Sequence, residues 1–259
     1  MLFRSQMSGT PDSLRRLQGR RILITGAGSG IGLAAARIFA AEGAKLALLD
    51  LNPRAAEKLA TETGGAAFHV DVSNEGAVND AVTRAGEALS GLDGVVNAAG
   101  VIRVGAIATS STDDWRKQIE VNLNGPFYVC RAAYPWLQKE KKATVVNIAS
   151  AQALRPAGAS SGYAASKAGV VALSKAMAAE WAPDIRVNVV CPGIVDTPMV
   201  AGVSAAAGNP SSTPSVKDYL LGRMAEPEEI ARALLFLTGD ESSFVTGSAL
   251  AVDGGRTLY

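Results

Sequence analysis

The stretch Arg21-Ile22-Leu23-Ile24-Thr25-Gly26-Ala27-Gly28-Ser29-Gly30-Ile31-Gly32 decides the fold of this chain. Its first five residues predict a short buried strand, and the alanine-rich pattern that follows predicts a helix. Glycines at positions 26, 30 and 32 permit a tight turn, close approach of the backbone to a pyrophosphate, and close packing of helix on strand. The helix N-terminus would offer amide groups and the positive end of its dipole to phosphates. The stretch therefore predicts a nucleotide-binding turn.

Short apolar runs alternate with helical patterns from this stretch to the C-terminus. Strands are predicted at 21–25, 45–49, 66–70, 94–97, 144–149, 186–191 and 249–252, and helices at 30–42, 53–62, 74–89, 112–140, 162–182 and 226–238. Near-continuous apolar strands separated by helices indicate a parallel sheet covered on both faces. We therefore predict an α/β protein, a single-domain doubly wound parallel sheet (Rossmann fold) of about seven strands over residues 19–259, preceded by a flexible tail at residues 1–18.

Composition excludes several classes of function. The 259 residues carry 25 basic and 24 acidic side chains, so the net charge of +1 predicts no nucleic-acid or membrane partner. No apolar run is long enough to span a membrane. Cys130 and Cys191 lie far apart in the sequence and His69 is the only histidine, so we predict no metal site. Free cysteines and the absence of a secretory signal favour a cytoplasmic protein.

One long segment breaks the alternation of strands and helices. Residues 197–222 are rich in Ala, Gly, Ser and Pro and contain no Lys or Arg before Lys217. Long loops in compact domains are commonly lids or binding loops, although a tolerated insertion would show the same composition. Because the segment follows a predicted strand at its carboxyl end, where ligands bind in such folds, we predict a substrate lid.

Asp50 ends the second predicted strand, twenty residues after Gly30. A carboxylate at this place can accept hydrogen bonds from both hydroxyls of an adenosine ribose and would repel a 2′-phosphate. Neither Ser29 before it nor Leu51 and Asn52 after it supplies a cation for that phosphate. The sequence therefore favours NAD over NADP.

Tyr163 and Lys167 are spaced by four residues in a predicted helix, so their side chains share one face. An ammonium group near a phenol favours the phenolate and would lower the pKa of the tyrosine toward neutrality. A phenol tuned in this way can donate or accept a proton at working pH. With only one histidine in the chain, this pair is a candidate acid/base pair, although a solvated tyrosine and a lysine extended to solvent would show the same spacing.

Together these residues resemble the short-chain dehydrogenase/reductase family, from about Gly19 to the C-terminus. The family's motifs occur in order, as Thr25-Gly26-x-x-x-Gly30-x-Gly32, Asp71-Val72, Asn97-Ala98-Ala99-Gly100, Asn122, Ser150, Tyr163-x-x-x-Lys167, Pro192-Gly193 and Val252-Asp253-Gly254-Gly255. One departure is Asn97-Ala98-Ala99-Gly100, where the commoner form begins with two asparagines. Ser150 precedes Tyr163 by thirteen residues, the usual separation in the family.

The resemblance implies a catalytic role for four residues. Tyr163 would be the general acid in ketone reduction and the base in alcohol oxidation. Lys167 would lower the pKa of Tyr163 and bind the nicotinamide ribose. Ser150 would donate to the substrate oxygen on which charge develops. Asn122 would hold a water that links Lys167 to solvent.

The resemblance also implies the contacts of the cofactor. Asp71 and Val72 would lie at the adenine ring, Ala98 and Gly100 under its ribose, and Ile31 at the pyrophosphate. The full predicted set of cofactor-binding residues is Gly26, Ser29, Gly30, Ile31, Gly32, Asp50, Leu51, Asp71, Val72, Asn97, Ala98, Gly100, Tyr163, Lys167, Pro192, Gly193, Val195 and Thr197. Of these, Pro192, Gly193 and Val195 would cover the nicotinamide, and Thr197 would bind its carboxamide or a phosphate.

The predicted reaction is the NAD(H)-dependent interconversion of a secondary alcohol and a ketone. The expected pocket wall is small and apolar and comprises residues 101–102, 151–154 and 199–207. Because the lid offers no cation, we expect a small neutral substrate, cyclic or sugar-derived, although Arg103 and Arg155 leave an anion clamp open.

Two alternatives and an assembly accompany this prediction. A 3-oxoacyl-(acyl-carrier-protein) reductase shares the fold and the four residues, but such enzymes generally use NADPH and basic docking residues. Lys139, Lys141 and Lys142 form a basic cluster of that kind. A non-catalytic cofactor-binding regulator is the remote alternative. Relatives commonly form homotetramers, so the resemblance implies a homotetramer or a homodimer.

Overall fold

A computed structural model describes residues 15–206 and 215–258. The strands are β1 (Arg21–Thr25), β2 (Lys45–Asp50), β3 (Ala66–His69), β4 (Gly94–Asn97), β5 (Ala143–Ile148), β6 (Ile185–Pro192) and β7 (Ala249–Val252). The α-helices are α1 (Gly30–Ala41), α2 (Pro53–Thr63), α3 (Glu75–Leu89), α4 (Thr112–Ile119), α5 (Gly125–Leu137), α6 (Ala151–Leu154), α7 (Ser161–Trp181), α8 (Pro198–Ala206) and α9 (Pro227–Thr238). No helix in these ranges has the length and apolar character that crossing a membrane requires.

The seven strands form one parallel sheet in the order β3-β2-β1-β4-β5-β6-β7. The predicted doubly wound fold is therefore confirmed. The chain moves outward from β1 to β3 and then returns to the other side of β1 with β4. This switch in direction opens a crevice at the carboxyl ends of β1 and β4, the place where such sheets bind ligands.

Both faces of the sheet are buried, because alternate residues of each strand enter different clusters. Ile22 and Ile24 of β1 pack with Phe39 of α1 and with α9. Leu23, between them, packs on the opposite face with α3 and α5. Since strand side chains alternate between faces, a strand covered on both sides has to be apolar throughout.

The predicted helix over residues 112–140 is interrupted in the structure. A π-helical turn at Glu120–Asn124 separates α4 from α5. The helical period of the sequence continues across the break, so periodicity alone could not locate it. The wider turn lies at Asn122, one of the predicted catalytic residues, and π-turns are frequent at functional sites.

One predicted boundary is wrong. The flexible tail was expected to reach residue 18, yet Leu17 is fully buried and Arg16 binds Glu42 at 2.7 Å. Leu17 packs in the cluster around Phe39, which the polar composition of its segment did not indicate. The segment predicted as a lid begins with a helix, α8. Residues 1–14 of the predicted tail and residues 207–214 of the predicted lid lie outside the described ranges.

Candidate functional site

The glycine-rich turn after β1 depends on three glycines that leave no room for a side chain. A Cβ on Gly26, which has a φ of +65°, would lie 2.7 Å from the backbone of Ala99. On Gly32 it would lie 2.1 Å from the carbonyl oxygen of Gly26. Gly30 has a φ of +50° and packs against Thr197. These close approaches require glycine in the turn that leads into the N-terminus of α1.

Asp50 stabilises the same turn from the end of β2. Its carboxylate accepts hydrogen bonds from the amide of Gly28 at 2.8 Å and from the amide of Asn52 at 2.8 Å. A Cβ on Gly28 would lie 2.9 Å from Cγ of Asp50 and 2.8 Å from Cβ of Ala55. Gly28 is therefore a required glycine that the sequence prediction did not single out.

The turn forms one wall of a cleft whose residues fit a dinucleotide. At the N-terminus of α1 the Ser29 side chain makes no capping hydrogen bond, and the first turn carries no acidic residue. The helix therefore offers its amides to an anion. Twelve of the predicted cofactor residues line this cleft, namely Gly26, Ser29, Gly30, Ile31, Gly32, Asp50, Leu51, Asp71, Val72, Ala98, Gly100 and Thr197.

Asp71 lies at the far side of the cleft from the turn. Its carboxylate accepts from the amide and the hydroxyl of Ser73, and Lys117 lies 3.6 Å away. Burial raises the pKa of Asp71, but these hydrogen bonds and the Lys117 charge outweigh it, so the pKa lies below its ordinary value. An ionised carboxylate can accept a hydrogen bond from the amine of a purine ring.

Lys167 is buried at the carboxyl end of β5. Its Nζ donates to the carbonyl oxygen of Ile148 at 2.8 Å and lies 5.9 Å from the centre of the Tyr163 ring. Burial lowers the pKa of Lys167 to about 8. A Cβ on Gly100 would lie 3.5 Å from this Nζ, so Lys167 lies next to Gly100, which lines the cleft.

Tyr163 and Ser150 line the same cavity. The Ser150 hydroxyl caps α6 by accepting from the amide of Gln152 at 3.1 Å. Burial raises the pKa of Tyr163, and the nearby Ser150 hydroxyl only partly offsets this effect. The prediction that Lys167 would lower the Tyr163 pKa is not met, because desolvation of the phenolate dominates and Lys167 is directed to Ile148.

Asn122 is fully buried and has a positioning role that spacing did not reveal. Its Oδ1 accepts from the amide of Val101 at 2.8 Å, and its Nδ2 donates to the Val101 carbonyl at 2.9 Å and to Ser166 at 3.1 Å. Both amide protons are thus used within the protein. The side chain ties the segment after β4 to α7, which carries Tyr163 and Lys167.

The second cavity at this end of the sheet contains the Ser150 and Tyr163 side chains. Its wall includes the predicted residues Ile102, Ala151, Gln152, Met199 and Val200, together with Tyr219 and Arg256, which were not predicted. Gln152 is less available than its sequence position indicated, because its Oε1 accepts from the amide of Ala157 at 2.6 Å and from Ser160 at 3.2 Å.

Two of the remaining predicted cofactor residues, Asn97 and Val195, are placed differently. Asn97 is buried in the sheet, where its Nδ2 donates to Asn147 at 2.8 Å and to Cys130 at 3.3 Å, so its side chain does not line the cleft. Val195 packs into the core cluster that contains α9. Pro192 and Gly193 line the cavity of Ser150 and Tyr163, beside the place where a nicotinamide would lie. For Asn97 and Val195, packing sets the direction of the side chain.

Comparison with known proteins agrees with this geometry. A family model described as enoyl-(acyl carrier protein) reductase matches residues 26–257. The chain is 38% identical over 253 residues to 2-(S)-hydroxypropyl-CoM dehydrogenase 3 of Xanthobacter autotrophicus, with 93% of this chain and 98% of that protein covered. It is 36% identical over 249 residues to the 3-oxoacyl-[acyl-carrier-protein] reductase of Thermotoga maritima, covering 94% and 100% of the two chains.

A solved structure gives the same result at the level of the fold. The structure is that of a short-chain dehydrogenase/reductase, glucose/ribitol dehydrogenase, from Brucella melitensis, which is similar with a TM-score of 0.85 and 34% identity. The match covers 92% of this chain and 97% of that chain. Similarity along nearly the whole sequence thus accompanies the sheet order, the glycine-rich cleft and the pair of Tyr163 and Lys167. The chain belongs to the short-chain dehydrogenase/reductase family of oxidoreductases.

Proposed function

We propose that this protein is an NAD(H)-dependent oxidoreductase that interconverts a secondary alcohol and a ketone, with Tyr163 as the general acid and base. The observation that carries the proposal is that Tyr163 and Ser150 line the same cavity, which adjoins the glycine-rich cleft. Two hydroxyl groups that face one cavity can donate to a single carbonyl oxygen. A bound nicotinamide would supply the hydride.

The residues of the chain would then act on the proton and on the developing charge. Because burial raises the pKa of Tyr163, its hydroxyl is protonated near neutral pH and is ready to donate in ketone reduction. Ser150 would stabilise the negative charge that develops on the oxygen. Lys167, held by Ile148 and located next to Gly100, would bind the nicotinamide ribose and return a proton toward Tyr163.

Asp50 supports the preference for NAD. Its carboxylate lies in the wall of the cleft, where it would accept from the ribose hydroxyls, and the neighbouring Leu51 side chain is apolar. Lys117 is the one basic residue among the described residues that line the cleft, and it is close to Asp71. A 2′-phosphate beside Asp50 would therefore meet a negative charge without a nearby cation.

The 3-oxoacyl-(acyl-carrier-protein) reductase remains the second candidate because one such enzyme is a relative. The position of the basic cluster speaks against it. Lys139, Lys141 and Lys142 precede β5 and therefore lie at the amino end of the sheet, whereas Ser150 and Tyr163 lie at the carboxyl end. Lys142 is also paired with Asp240 at 2.8 Å. An acidic carrier protein docked on these lysines would not face the cavity.

We also propose a homotetramer in the cytoplasm that acts on a small-molecule substrate. Trp115, Phe127 and Tyr134 on α4 and α5 are each more than a third exposed, as expected for helices that pack against another copy. The balanced charge of the chain supports neither a nucleic-acid partner nor a membrane partner. Sedimentation would test the assembly.

The test of the proposed function is the substitution Tyr163→Phe. Oxidation and reduction should fall by about 1,000-fold or more with a panel of secondary alcohols and ketones, because proton transfer is lost. The dissociation constant of NADH, measured by fluorescence, should change little. Undiminished turnover in the variant would exclude the mechanism, and a wild-type protein that binds NADH without turning over any member of the panel would favour the non-catalytic alternative.

A further inference from the structure

Arg256 is a buried cation in the cavity that contains Ser150 and Tyr163. It is only 6% exposed and lines this cavity, where no other described residue of the wall is basic. Its Nη1 is buried and has no hydrogen-bond partner among the described residues. Within the same ranges no carboxylate lies close enough to form an ion pair with it. The guanidinium is therefore buried without a counter-charge.

The neighbouring residues hold Arg256 in place but do not neutralise it. Asp253 uses one carboxylate oxygen for the amide of Gly255 and the other for the amide and hydroxyl of Thr257. Arg155 donates to the main-chain carbonyl of Arg256 at 2.8 Å. These contacts stabilise the turn after β7, and none of them uses the guanidinium of Arg256.

Tyr219 is the aromatic neighbour of this guanidinium. The Arg256 Cζ lies 6.0 Å from the centre of the Tyr219 ring, within the range of a cation–π contact. Tyr219 in turn packs against Gly193, where a Cβ would lie 2.8 Å from the ring. The Tyr219 ring thus packs against the guanidinium on one side, and Nη1 has no acceptor among the described residues.

A buried guanidinium nitrogen without a hydrogen-bond acceptor requires an explanation. Arginine remains charged in proteins, and removing its charge from water is unfavourable unless an anion or a set of acceptors replaces the solvent. Its planar donors match the two oxygens of a carboxylate, and they match a sulfonate or phosphate equally well. A ligand that carries such a group would provide the missing acceptors.

We propose that Arg256 binds an oxyanion group that the alcohol or ketone substrate carries at a distance from its reacting carbon. This inference rests on the proposed function, because Ser150 and Tyr163 are what identify the cavity as the substrate site. The expectation of a small neutral substrate, drawn from the lid, is thereby replaced by a substrate with a carboxylate, sulfonate or phosphate ester. Arg103 is not the binding group, since it is 54% exposed and lies 3.4 Å from Asp114.

The test uses matched ketones with the wild-type enzyme and NADH. The pairs are levulinate and methyl levulinate, acetonylsulfonate and acetone, and dihydroxyacetone phosphate and dihydroxyacetone. At least one charged member should have a kcat/KM about 100-fold above its neutral partner, since a buried ion pair of this kind contributes strongly to binding. The pair that shows the largest ratio identifies the class of oxyanion.

Variants of the two arginines connect that preference to the residue. Arg256→Gln should abolish the preference by raising KM for the charged ketone, while kcat/KM for the neutral partner changes by less than about threefold. Arg256→Lys keeps the charge but loses the paired donors, so about a tenth of the preference for the charged ketone should remain. This variant provides the test if Arg256→Gln fails to fold. The matched control Arg103→Gln should keep the full preference.

A binding measurement separates this proposal from the proposed function. In the Tyr163→Phe variant with NADH, levulinate should raise the melting temperature and methyl levulinate should not, and Arg256→Gln should remove that effect. If Tyr163→Phe retains turnover, the mechanism fails while the anion preference can still stand. Arg256 would be excluded as the binding group if no charged ketone is preferred, or if Arg256→Gln keeps the preference. It would also be excluded if Arg256→Gln only dissociates the oligomer, which would assign the guanidinium to a carboxylate of a neighbouring copy.

Discussion

The Asp50 carboxylate accepts a hydrogen bond from the backbone amide of Gly28 at 2.8 Å, and this bond joins the end of β2 to the glycine-rich turn after β1. The second carboxylate oxygen accepts from Asn52, whose own side chain accepts from Ala55 at the start of α2. The residue proposed to select the cofactor therefore also shapes the cleft. Substitutions at Asp50 and Gly28 should affect these two properties differently.

Replacing Asp50 should weaken the selection of NAD. In Asp50→Ala, the repulsion of a 2′-phosphate and the acceptors for the ribose hydroxyls are both lost, so the NADH:NADPH ratio of kcat/KM should fall by about 100-fold. Steady-state kinetics with both cofactors measures the ratio. Asp71→Ala is the matched control: it should weaken both cofactors to a similar extent and leave the ratio unchanged. A wild-type preference for NADPH would contradict the assignment of Asp50 and favour the 3-oxoacyl reductase.

Adding one methyl group at Gly28 should lower both stability and cofactor affinity. The new Cβ would lie 2.8 Å from Ala55 and 2.9 Å from Asp50, so the turn and α2 must separate. We expect a loss of about 1–3 kcal/mol in the free energy of unfolding, together with weaker NADH binding.

Denaturant unfolding and NADH fluorescence measure these two effects at Gly28. The control is Gly202→Ala on α8, where the new methyl group meets none of the described residues within 4 Å and stability should be unchanged or slightly higher. Equal behaviour of the two glycine variants would show that the turn tolerates the added methyl group.

Lys167 should make stability depend on pH in the alkaline range. Burial lowers its pKa from 10.5 to about 8, so between these values the unfolded chain binds a proton that the folded protein has lost. The contribution of Lys167 to the free energy of unfolding should therefore rise as the pH rises from about 8 to 10.5. Below pH 8 the buried lysine is charged, and its desolvation lowers the stability of the folded protein by the full amount. The difference between wild type and Lys167→Met should grow in favour of wild type by up to about 3 kcal/mol across this window.

Urea unfolding at several pH values measures that difference. Subtraction of the variant is needed because burial raises the pKa of Cys191 to about 11, which has the opposite effect on stability. Lys175→Met is the control, since Lys175 lies on the same helix and is exposed. A wild-type advantage that stays constant from pH 7.5 to 10.5 would show that Lys167 is not desolvated.

Much of the nucleotide cleft could be predicted from local patterns. The glycines of the turn and Asp50 at the end of β2 are informative because strand–turn–helix geometry places them within a few residues of one another in sequence. The side chain of Asn97 could not be assigned in this way. Its position at the end of β4 was correct, but its direction toward Asn147 and Cys130 depends on strands and helices that are remote in sequence.

The sequence by itself determined the parallel sheet and the shared helix face of Tyr163 and Lys167, because both follow from periodic patterns that act over a few residues. Only the tertiary structure decided what surrounds each charge. Burial shifts the pKa values of Tyr163 and Lys167, and packing from several elements leaves Arg256 without a counter-ion among the described residues, in the cavity that Ser150 also lines. Desolvation and long-range contacts depend on all neighbours of a side chain at once, and linear spacing does not record them.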